Sequence, residues 1–142
     1  MGIVVAHLDP PRDAPFPRHP LTRMAAIVVD PDLLDVRHLQ GLPLATIQNL
    51  LAPAFDPTYA HSLPVLLEAL GREELGTARV RFLVVRIAGD AISLGAARLA
   101  REITAAPLSH AILQQVRATL ALSEKTMREA ALLPPLAVAS GA

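Results

Sequence analysis

The sequence predicts an all-α protein, an antiparallel four-helix bundle with one or two short helices on its N-terminal side. Three observations predict it. The chain is 52% hydrophobic, yet three Phe, one Tyr and no Trp supply all its aromatic mass, so the core must be aliphatic. Cap-and-proline punctuation recurs at helix spacing, with Asp or Ser before an apolar-periodic run. No strand-like alternation occurs downstream of residue 30.

In chain order, residues 1–29 read as a proline-rich, flexible arm. Five prolines lie between positions 10 and 20, and each fixes φ and removes a donor, which excludes a helix or central strand there. "MAAIVV" (24–29) has strand character but no evident strand to pair with, so it is expected to pack as an extended segment or lead into a helix. Asp30-Pro31 then opens a helix over 30–41, ended by Gly41. A second helix starts on Pro43 and stops before Pro53. Asp56-Pro57 opens a third, ending at Gly71, in which Pro64 imposes a kink or a restart after Ser62. The next amphipathic segment spans roughly 72–94, with Glu73 and Glu74 complementing the dipole at its start. A turn near Gly95 leads to a helix closed by Pro107. Ser109 caps the last helix, which runs to Pro134-Pro135, and residues 134–142 read as a frayed tail. The bundle is therefore placed at 30–133, within one domain of ordinary size.

Thirteen basic and thirteen acidic residues cancel, so no long-range field draws the chain to nucleic acid or anionic lipid. The absence of cysteine excludes disulfides, thiolate catalysis and Cys-ligated metal. The N-terminal run lacks a basic flank and a cleavage site, and no apolar run reaches the roughly 18–20 residues of a membrane span. A soluble cytoplasmic protein without nucleic-acid or membrane partners is expected. The five histidines (7, 19, 38, 61 and 110) show no i, i+4 metal spacing. No Gly-rich phosphate loop, nucleophile elbow or zinc signature is present. No enzyme, cofactor or metal is expected.

The informative stretch is "LVVRIAGDAISLGAARL" (83–99). Positions 80, 84, 87, 91 and 94 form one apolar stripe, the natural core face. The other side carries Arg81, Phe82, Val85, Ala88, Gly89 and Ile92, mostly apolar or small, so this helix has a second apolar face. Gly89 is also unexpected, because glycine within a helix costs roughly 1 kcal/mol relative to alanine.

Val85-Arg86-Ile87-Ala88-Gly89-Asp90, then "AISL", then Gly95-Ala96, resembles the signature of the histidine-containing phosphotransfer (HPt) domains of bacterial phosphorelays. That signature runs His-x-Leu-Lys-Gly-Ser and then Gly-Ala at the same glycine spacing. The resemblance covers residues 30–130. It implies a four-helix bundle that docks a response-regulator receiver domain, with Gly89 keeping the docking surface flat. The chain departs where the chemistry would sit. Val85 stands at the phospho-accepting histidine and Ala88 at the assisting lysine, which excludes phosphotransfer through this motif. The implied protein is a degenerate HPt-like regulator. Its docking face comprises Arg81, Phe82, Val85, Ala88, Gly89, Asp90 and Ile92, and its partner is a receiver domain or sensor kinase. Asp90 has two readings, a solvated partner of Arg86 or a specificity element on that face. The alternative is a helical structural subunit that uses the second apolar face to form a homodimer.

Overall fold

The computed structural model describes residues 4–7, 25–105 and 107–135. Two short strands, β1 (Val4–His7) and β2 (Ala25–Val28), precede a 3-10 turn at Arg37–Leu39. Five helices follow: α1 (Leu44–Phe55), α2 (Leu63–Gly71), α3 (Ala78–Leu94), α4 (Ala97–Thr104) and α5 (His110–Glu129). The molecule is mostly helical, as its aliphatic composition predicts. α3 packs against α2 and α4, α5 packs against α4 and α2, and α1 lies beside α2. The fully buried large side chains are aliphatic throughout, Leu39, Ile47, Leu67, Ile87, Leu99 and Met127 among them.

The N-terminal expectation needs correction. β2 does have a partner, because β1 pairs with it antiparallel, Val4 opposite Val28 and His7 opposite Ala25. The prolines fall between the two β-prone runs, where they remove no ladder donor. On the other edge of β2, Ile27 N–H donates to Gln40 Oε1 (3.1 Å) and Gln40 Nε2 donates to the Ile27 carbonyl (2.8 Å). Ile27 itself is buried. The extended reading of residues 8–24 lies outside the described residues.

The helix expected over 30–41 does not form. Asp30 makes one turn, its carbonyl accepting from Leu33 and Leu34 N–H and its carboxylate from Asp32 N–H. The chain then runs as a strap across the turn between α3 and α4. Asp35 N–H donates to the Gly95 carbonyl (2.8 Å), and Arg98 N–H donates to the Leu33 carbonyl (3.1 Å). Tertiary hydrogen bonds thus take the groups a helix would have used, while Leu33, Leu34, Val36 and Leu39 enter the core. Arg98 and Arg101 grip Asp32 from α4, at 2.7 and 2.8 Å. Arg37 donates through Nε and Nη2 to Asp35, whose carboxyl it holds down at about 2.

Several boundaries also differ from expectation. α1 continues through Pro53 to Phe55, which is buried and anchors the last turn. Asp56 caps no helix. Its carboxylate accepts from Thr58 N–H and Oγ1, closing a local turn. The restart after Ser62 does occur, with Ser62 Oγ accepting from Val65 N–H. Residues 72–77 are a loop, so Glu73 and Glu74 do not sit at a helix start. Gly76 has φ +91° and Thr77 caps α3 by accepting from Val80 N–H. α5 stops at Glu129, earlier than its apolar run suggests. Ala131 takes the left-handed conformation (φ +62°), with Leu132 N–H reaching back to the Met127 carbonyl, so Leu132 and Leu133 turn into the core.

Two glycine-type positions make opposite predictions. Ala131→Gly should stabilise the protein by about 1 kcal/mol, because an L side chain in this conformation costs roughly 1–2 kcal/mol. A Cβ on Gly95 (φ +88°) would lie 2.5 Å from the Asp35 carbonyl oxygen, so Gly95→Ala should destabilise by at least about 2 kcal/mol. Urea unfolding midpoints at a constant slope check both.

Candidate functional site

α3 is built from its caps inward. Thr77 starts it, and Gly95 ends it with paired hydrogen bonds, Gly95 N–H to the Ile92 carbonyl and Ala96 N–H to the Ala91 carbonyl. Its inner face buries Val80, Leu83, Ile87 and Ala91, while Val84 and Leu94 are half-buried against the same core. The expected stripe was therefore right in direction, but Leu83 lies on it too.

The outer face is open. Phe82, Val85 and Ile92 are 56%, 72% and 67% exposed, high values for large apolar side chains. Arg81 and Gly89 are exposed as well. Ala88 is the correction: only 7% exposed, it belongs to the core. It shares a flank with Val85 and Ile92, which line grooves against α4 and the segment after it. A methyl group between those longer side chains does not reach the surface. The other six expected residues are surface or half-buried positions of α3.

Polar groups on this face are mostly paired with one another. Arg86 Nε lies 3.3 Å from Asp90 Oδ2, both half-exposed, as the solvated reading of Asp90 expects. Such i, i+4 pairs contribute only about 0.3–0.5 kcal/mol. The Arg79 guanidinium stacks over Phe82, 5.6 Å from the ring centroid, and also faces Glu73 at 3.8 Å. Arg81 has no ion-pair partner among the described residues.

The two glycines now separate. Gly95 has an internal cause, since the strap carbonyl of Asp35 fills the space of its missing side chain. Gly89 has none: apart from its chain neighbours and the backbone of its own helix, no atom lies within 4 Å of where its Cβ would stand. The sequence already set Gly95 at a turn and Gly89 within the helix, but the strap across Gly95 left no local signature in it.

One cluster deserves a chemical test. His61, Asp90 and Ser93 line a single cleft of about 220 Å³ with Ala54, Leu63 and Leu94. No hydrogen bond links the three. Asp90 is turned to Arg86, and Ser93 Oγ donates to the Gly89 carbonyl (3.0 Å). A nucleophile needs its base within hydrogen-bonding reach, and this trio makes no such relay. Among the described residues, no three potential ligands gather to hold a metal ion. No helix among them is long and apolar enough to cross a membrane.

Comparison with known protein families, with curated proteins and with solved structures finds no match for the chain.

Because the fold makes no use of Gly89, Gly89→Ala should raise stability by up to about 1 kcal/mol through helix propensity alone. A rise in the urea midpoint with unchanged slope is the expected result.

Proposed function

We propose that the chain is a non-catalytic docking module of the HPt type, a four-helix arrangement that binds a receiver domain or sensor kinase without phosphotransfer. The observation that carries this reading is the line of Phe82, Val85 and Ile92 along the outer face of α3, each more than half exposed. Exposed large apolar side chains grouped on one side of a surface helix are a feature of interaction sites. Gly89 adds support, because its open surface lets another body approach the α3 backbone. Arg81, Asp90 and Arg86 would rim the patch and set specificity, as charges at an interface edge do.

The absence of chemistry at this face follows from its residues. Val85 carries no nucleophile, and Ala88 is buried and uncharged. What the face offers a partner is shape and apolar area.

The test is binding of the purified chain to receiver domains and sensor kinases from the same genome, each with and without a phosphoryl mimic. Val85→Arg should weaken binding at least about tenfold, or ~1.4 kcal/mol, with the circular dichroism spectrum unchanged. Binding that survives Val85→Arg would remove α3 as the site. No binding across the panel would remove this partner class.

A further inference from the structure

A groove lies on one flank of α3, between that helix and the segment that follows α4, with a volume of about 530 Å³. Val80 and Ile103, both buried, form its floor with the half-buried Val84 and Leu108. Of the residues expected on the outer face of α3, only Arg81 and Val85 reach it. We propose that this groove binds a medium-chain aliphatic monocarboxylate, its chain laid on the aliphatic floor and its carboxylate on Arg81. The site stands independently of the docking reading, because Phe82, Gly89 and Ile92 take no part in it.

Charge sets the head group. Two polar side chains line the groove, Thr104 and Arg81. Thr104 is engaged, its Oγ1 donating to the Ala100 carbonyl at 2.7 Å. Arg81 is not. The described arginines other than Arg81 and Arg117 each face a carboxylate within salt-bridge distance. No carboxylate lines this groove among the described residues. A guanidinium keeps its charge at every working pH and presents a fork of N–H donors that a carboxylate matches with two oxygens. One cation suits one negative charge. A phosphate dianion would be left half-neutralised, because no second cation lines the groove among the described residues.

The floor sets the tail. It is branched aliphatic throughout, and no aromatic side chain lines the groove among the described residues, so a ring would find nothing to stack on. An alkyl chain gains by burying area alone. Sites for small ligands enclose about 300–1,000 Å³, are mostly apolar and carry a few polar groups that fix orientation. This groove has that size and that make-up. Its floor is also preformed: Val80 and Val84 sit on α3, whose start Thr77 caps, and Ile103 is locked in the core from α4. A ligand therefore has little to order on binding.

Titration calorimetry of the full chain with hexanoate, octanoate and decanoate, each below its micelle concentration, is the experiment. The expected result is one saturable site whose affinity rises up to about fourfold per added methylene. Arg81→Gln should weaken decanoate at least about tenfold, since it removes a charged hydrogen-bonding partner, and Arg81→Lys should recover part of the loss. Both changes are at an exposed position and should leave the circular dichroism spectrum unchanged. Ala105→Trp, on the wall of the groove, should block the same site. Decylamine, with the same chain and the opposite charge, should not bind. Absence of a saturable site for decanoate would overturn the proposal. So would binding that Arg81→Gln leaves intact, or equal binding of decylamine, because either would mean that the guanidinium does not read the head group. Binding to anionic phospholipid vesicles without binding to soluble decanoate would also overturn it, in favour of a membrane surface.

Discussion

The fold turns on one contact, the crossing of the 33–35 strap over the bend between α3 and α4. Two backbone hydrogen bonds join them, Asp35 N–H to the Gly95 carbonyl and Arg98 N–H to the Leu33 carbonyl. Each satisfies a polar group that burial would otherwise make costly. The strap carries Leu33, Leu34 and Val36 into the core, and Asp32 receives Arg98 and Arg101 from α4 at its near end. All of this requires that residue 95 have no side chain and a positive φ. The bend it fixes sets how α4 leaves α3, and so which side of α3 is covered and which is left free. The exposed ion pairs of the strap contribute modestly beside the backbone exchange.

Much of this architecture is written locally. The stop at Gly95, the restart after Ser62 and the start after Ser109 each follow from residues within a turn of the boundary. The inner stripe of α3 was legible for the same reason, because helical periodicity needs only the chain's own spacing. What escaped depends on partners distant in sequence. Residues 30–41 carry a helix start signal and a stopping glycine, yet their backbone bonds run to Gly95 and Arg98, about sixty residues away. The pairing of β2 was missed for a similar reason, its partner lying across a proline-rich stretch. Ala131 shows a third kind of failure: alanine gives no sign of a left-handed turn, and burial of Leu132 and Leu133 imposes one.

The candidate face was legible in composition and imperfect in depth. Residue type placed Phe82, Val85 and Ile92 on a second apolar side, and the structure leaves them open. Ala88 shared their angular position but not their reach, and only side-chain length separates it from them. The sequence marked Gly95 as a helix end and left Gly89, within the helix, without an internal cause. Their environments divide them, one pressed against a carbonyl and the other facing solvent. Gly89 is the residue whose cost in helix stability the isolated fold does not recover.

The Gln40 amide has a role beyond satisfying two groups on β2. Its carbonyl and NH₂ engage the N–H and C=O of one residue, Ile27. In an antiparallel pair such groups point alternately to either side, so those of Ala26 and Val28 face β1. Sliding β2 by one residue would present Gln40 with a backbone turned the wrong way and would rotate Ile27 out of the core. A single side chain on the 3-10 turn thus acts as a ratchet pawl for a ribbon only four residues long.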